Sequence, residues 1–120
     1  MALTHAVPGA RIACRPLGDA LPETPTHALL KTGSLELMRI VLLAGRALPA
    51  HRVSGEITVQ CIEGRVWLRA EAGAHLLEAG DLVLLPGGDL HALDAVEDSS
   101  LLVTIVLAQP ATASGATAAR

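Results

Sequence analysis

Residues 80–91 read Gly80-Asp81-Leu82-Val83-Leu84-Leu85-Pro86-Gly87-Gly88-Asp89-Leu90-His91. A glycine turn launches four apolar residues, which predicts a short buried strand, and a Pro-Gly-Gly break then delivers a histidine at the start of the next strand. His91 therefore faces whatever the strands enclose. Upstream, residues 44–51 break a strand at Gly45 and Pro49 and deliver a second histidine, His51.

Working outward, residues 26–31 predict a first strand and Thr32-Gly33-Ser34 a turn. Residues 35–43 are apolar at both parities, with Leu35, Leu37, Val41 and Leu43 on one face and Met38, Ile40 and Leu42 on the other. A strand wet on one side would alternate, so this one is covered on both faces, by a second sheet, the N-terminal arm or a partner subunit. After a loop at 52–56, the alternating run 57–62, the pair Glu63-Gly64 and the run 65–69 together predict a hairpin. Trp67, between Arg65 and Arg69, points outward on it. Residues 70–74 turn, 75–78 make a short strand, 92–96 another, 97–100 turn again, and 101–107 close the domain with a strand apolar on both faces. No helix of two turns or more is signalled. Short strands with turns every eight to twelve residues mark an all-β sandwich or barrel.

Four prolines among residues 1–26 predict an arm laid over the domain, 27–108 form the barrel, and 109–120, without apolar periodicity, form a disordered tail. The 120 residues suffice for one domain and one core. Apolar residues make up 51% of the chain, yet Trp67 is its single aromatic, so any pocket is walled by aliphatic side chains. A net charge of −3 without a Lys/Arg cluster argues against nucleic-acid binding. No apolar run reaches the roughly 20 residues of a membrane span, and residues 1–14 lack a signal-peptide core, so a cytoplasmic protein is expected, with no attached DNA-binding domain. Cys14 and Cys61 are too few for a disulfide scaffold and are read as idle thiols.

The spacing of these residues resembles the cupins. Their second motif, glycine, five residues, proline, one residue, glycine, two residues, histidine, is met by Gly80, Pro86, Gly88 and His91, with Ala95 in place of its closing asparagine. Of their first motif, Gly45, His51 and Gly64 stand at matching positions, while Val53 and Ile57 replace a histidine and a glutamate. The resemblance covers about residues 35–107. It implies a cupin-type double-stranded β-helix, a jelly-roll-like barrel, often a homodimer, with a small-molecule site at the mouth. It also implies a divalent first-row transition metal, of whose ligand positions this chain keeps His51 and His91. Glu56 and Gln60 could substitute for the missing ligands only if a bulge turned them inward, because the unshifted parity places Ile57, Val59 and Cys61 inside.

Three readings of the histidine pair follow. It belongs to a metal site completed by Glu56, Gln60 or waters, or it binds an anionic or polar small molecule without metal, or it serves packing alone. As an enzyme the protein would be a metal-assisted oxygenase, isomerase or lyase; as a binding module, a metabolite sensor or storage barrel. His5 and His27 are expected to be exposed or capping, and His75 reaches the cup only if its face is interior. Asp81 and Asp89 are expected to bond turn amides. No nucleophile elbow, phosphate loop or zinc-type Cys/His pair is present.

Overall fold

In the computed structural model, residues 5–107 are described, and the predicted tail at 109–120 lies outside them. Nine strands follow a short 3-10 helix, Gly18–Glu23: β1 (His27–Lys31), β2 (Leu35–Leu42), β3 (Ala47–His51), β4 (Ile57–Glu63), β5 (Arg65–Ala70), β6 (Gly73–Glu78), β7 (Leu82–Leu85), β8 (His91–Ala95) and β9 (Ser99–Val106). They form two sheets, one ordered β1-β2-β9-β4-β7 and the other β3-β8-β5-β6, with every pairing antiparallel. This is the double-stranded β-helix that the cupin spacing implies.

The hairpin expected across Glu63-Gly64 does not form. β4 lies in the five-stranded sheet and β5 in the four-stranded one, so the chain changes sheets at Gly64. The reason is local. Gly64 has φ +85°, and a Cβ there would lie 2.3 Å from the Asp98 carbonyl oxygen, so the chain turns a corner pressed against the β8–β9 turn. β5 instead pairs with β6 around a tight turn after Ala70. The segment ending at His51 also differs from a simple break: residues 47–51 form an edge strand that contains Pro49. A proline is tolerated there because an edge strand need not use every N–H.

Between the sheets the inward parity is aliphatic. Val59, Cys61, Val66, Leu68, Leu93 and Leu101 are almost wholly buried, and each large side chain contributes roughly 1.5–3 kcal/mol of transfer free energy. Burial pushes the Cys61 thiol up to about 11, which makes it a core residue rather than a nucleophile. The two strands read as covered on both faces, β2 and β9, pair with each other over eight residues in the five-stranded sheet. Their inner parity meets the core. On the outer parity, Leu102 is buried while Leu35 and Val106 remain exposed.

The arm reaches back over the sheet. Ala6 N–H donates to the Leu29 carbonyl at 2.8 Å, and the backbone N–H groups of Leu17 and Gly18 donate to the Glu63 carboxylate at 2.8 and 3.1 Å. No helix among the described residues is long and apolar enough to cross a membrane.

Candidate functional site

His51 and His91 meet at the mouth of the barrel. They are register partners in the β3–β8 pairing, and their ring centroids are 4.4 Å apart. The register explains how His51 gets there. Leu48 pairs with Leu93 and His51 with His91, so three steps along β3 match two along β8. One extra residue is accommodated at Pro49-Ala50, a bulge that reverses the side-chain alternation and lets Leu48 and His51 share the inner face. His91 and Leu93 share that face by ordinary alternation. A bulge near Glu56 is what would turn that acid inward; the bulge that shapes the mouth lies one strand earlier, in β3.

The other half of the mouth is built by the opening stretch. Gly88 adopts φ +83° and its N–H donates to the Val53 carbonyl at 2.7 Å, which ties the loop before His91 to the loop after His51. Asp89 is buried and accepts from the Glu71 N–H at 3.1 Å, a tie between two loops rather than the local turn bond expected of it. Asp81 does bond locally, accepting from Glu78 N–H at 2.8 Å.

Behind the histidines lies a cavity of about 240 Å³. One wall is Met38, Ile40, Ile57, Val59, Val103 and Ile105 of the five-stranded sheet; the other is Leu48 and Leu93, with Val53 and Thr26 at the rim. Met38 and Thr26 are lining residues that sequence reasoning did not single out, since their membership depends on which elements meet at the mouth. Each histidine Nδ1 bonds a carbonyl oxygen, His51 that of Pro49 at 3.1 Å and His91 that of Asp89 at 2.9 Å. A carbonyl can only accept, so both Nδ1 atoms carry the proton and, in the neutral ring, both Nε2 atoms present a lone pair. His91 is 4% exposed and His51 lies open at the rim.

The proposed substitutes for the missing ligands are not brought to the cavity. Ile57 and Val59 line it, whereas Glu56 is exposed and Gln60, on the parity opposite to Val59, is half-buried on the outer side. The reason is the straight register of β4 against both β7 and β9 from Ile57 to Gln60; without a bulge there, the acid stays outside. His75 is exposed and paired with Leu68, His5 is exposed, and His27 bonds the Pro25 carbonyl; none of them lines the cavity. Trp67 lies on the outer face with the Arg69 guanidinium 5.3 Å from its ring.

Measured against a transition-metal centre, this donor set falls short. Two imidazoles face the cavity, the positions of the other two cupin ligands hold Val53 and Ile57, and among the described residues no three His, Cys, Asp or Glu side chains converge. A catalytic centre ordinarily takes about three protein ligands.

Solved structures share this architecture. A cupin superfamily protein from Desulfitobacterium hafniense matches with a TM-score of 0.68 and 13% identity over 82% of this chain and 100% of the other. A conserved protein of unknown function from Streptococcus pyogenes matches with a TM-score of 0.66 and 22% identity over 71% and 75%. The salicylate 1,2-dioxygenase of Pseudaminobacter salicylatoxidans matches with a TM-score of 0.59 and 22% identity over 62% of this chain and 21% of its own. Two facing antiparallel sheets in the arrangement shared with such structures define a cupin barrel. Residues 43–120 match the family model of the AraC-like ligand binding domain, and the chain belongs to that family. Among curated proteins none matches it.

Proposed function

We propose that the chain binds a small, largely apolar molecule in the cup between its sheets, with His51 and His91 as polar anchors, and works as a ligand-binding module without a resident metal. The observation that carries this is the lining itself: two imidazoles on a wall that is apolar apart from Thr26 at the rim, with Ile57 standing where the cupin resemblance calls for a carboxylate. Membership of a ligand-binding family supports the same reading. The likeness to a dioxygenase is one of fold, and function has to be argued from the site.

Two measurements test it. Protein purified without a histidine tag and reconstituted with iron(II), manganese(II) or zinc(II) should keep less than about a tenth of an equivalent after desalting, since two protein ligands hold an ion loosely. Stoichiometric metal that disappears in the His51→Ala, His91→Ala double variant would overturn the metal-free reading. In a thermal-shift screen of small metabolites, hits should be lost in Val59→Phe, which fills the cup.

We also propose that two copies pair through the outer face of the five-stranded sheet. Across β7, β4 and β9 that face reads Leu84, Thr58, Thr104 in one row and Leu82, Gln60, Leu102 in the next, with no charge in either. β7 is an edge, and Leu82 and Leu84 are 55% and 58% exposed. The strip of Leu82, Leu84, Thr58 and Gln60 carries no charge and can meet its own copy without burying an unpaired ion, and antiparallel pairing of the edge strand β7 with itself has the two-fold symmetry of a dimer.

A further inference from the structure

We infer that the cup takes an uncharged ligand whose apolar body carries a hydrogen-donating head, the chemistry of a primary carboxamide or an alcohol, and that it discriminates against carboxylates and ammonium ions of the same size. This rests on the cavity being the ligand site and narrows what enters it.

Donors, acceptors and charges at the cavity wall decide which head the cup can hold. Both Nδ1–H groups are spent on the carbonyls of Pro49 and Asp89, so in the neutral rings the nitrogen that each cavity-lining imidazole has left for a ligand is Nε2, an acceptor. Thr26, the other hydrogen-bonding side chain of the lining, is also engaged: its hydroxyl accepts from Val41 N–H at 2.9 Å and donates to the Val41 carbonyl at 3.4 Å. No Arg, Lys, Asp or Glu is among the lining residues. The wall therefore presents two acceptors and no fixed charge.

Each kind of head meets that wall differently. A carboxylate sets its acceptors against two more acceptors and brings a negative charge with no partner. An ammonium ion can donate, but its charge would sit in an aliphatic cup without a counter-ion, which is costly. A ketone carries no charge and cannot donate, so both lone pairs stay unmet. A primary carboxamide offers two N–H groups to two Nε2 atoms on rings 4.4 Å apart, and the exposed position of His51 leaves its oxygen near water. An alcohol satisfies one Nε2. The volume of about 240 Å³ lies below the roughly 300–1,000 Å³ of sites for drug-sized ligands, so the body is small.

The test is a titration-calorimetry series on one body, run with the full chain at pH 8, above the range in which free imidazole titrates. The probes are cyclohexanecarboxamide, cyclohexylmethanol, cyclohexyl methyl ketone, cyclohexanecarboxylate and cyclohexylmethylammonium. The carboxamide and the alcohol should bind about tenfold or more tightly than the other three, the margin expected when a buried hydrogen bond is left unmade. In His51→Ala that margin should shrink severalfold; because His51 lies at an exposed edge, this variant should fold even where His91→Ala does not. Binding of the ketone or of either ion as tight as that of the carboxamide, but lost in Val59→Phe, would overturn the ligand class and leave the cavity reading standing. No binding of any probe, or binding that Val59→Phe does not touch, would overturn both.

Discussion

Glu63 is the residue at which the arm, the barrel and the sheet corner meet. Its carboxylate accepts from the N–H groups of Leu17 and Gly18 and from the Ser100 hydroxyl, which in turn accepts from Arg39 Nη1 at 3.2 Å. Arg39 is 4% exposed, and its Nη2 also reaches the Ala13 carbonyl of the arm at 3.4 Å. Burial alone would raise the Glu63 carboxyl, but the bonds from Ser100, Leu17 and Gly18 and the charge of Arg39 outweigh it and hold the group below the usual carboxylate range. A group depressed on folding stabilises the native state above its unfolded pKa, about 4.3 for glutamate, and that stability is lost as pH falls through the folded value. Urea midpoints measured from pH 7 down to 3 should therefore decline in the acid limb. Glu63→Gln should lose about 1–3 kcal/mol at pH 7, the range for a charged hydrogen bond, and show a flatter acid limb. An equally steep acid limb in the variant would assign the acid sensitivity to other carboxylates.

Among the elements, two departures from regular pairing matter most to the site. The bulge at Pro49-Ala50 carries His51 to the inner face, and the corner at Gly64 sends β5 into the opposite sheet, where it pairs with β8 and so backs the strand that begins at His91. Gly64→Ala would place a Cβ 2.3 Å from the Asp98 carbonyl oxygen and 2.2 Å from Ser99 Oγ while holding a left-handed backbone angle. The expected cost is roughly 2–4 kcal/mol, combining the left-handed penalty with overpacking. Chemical denaturation would measure it; a loss below about 1 kcal/mol would mean that the corner relaxes freely. Neither departure is written in local pattern. Residues 57–62 and 65–69 have the β-propensity and the glycine turn of a hairpin, but propensity specifies that strands form and not which sheet accepts them. By contrast the strand, the break and the histidine of residues 80–91 were legible, because they are set by residues adjacent in the chain; the burial expected of that strand was not met, since β7 is a sheet edge with Leu82 and Leu84 exposed and only Leu85 buried.

For the whole molecule, the outer face of the five-stranded sheet is the feature with the widest consequence. Equilibrium sedimentation should show a dimer, and Leu82→Lys with Leu84→Lys should yield a folded monomer, since both side chains are exposed and charges on an edge strand oppose pairing. A parent protein monomeric across micromolar concentrations would remove the pairing proposal and leave the ligand site untouched. The sequence by itself determined an all-β domain with an aliphatic interior and a histidine in each of two loop-and-strand motifs whose spacing resembles the cupins, because turn chemistry and residue spacing act over a few residues. It could not decide whether Glu56 and Gln60 complete a metal site around His51 and His91. Only the tertiary structure decided which side chains face the cup: a one-residue offset reverses a strand's faces, and whether an offset exists, in β3 before His51 and not in β4 over Ile57–Gln60, depends on pairing with residues about 20 to 50 positions away.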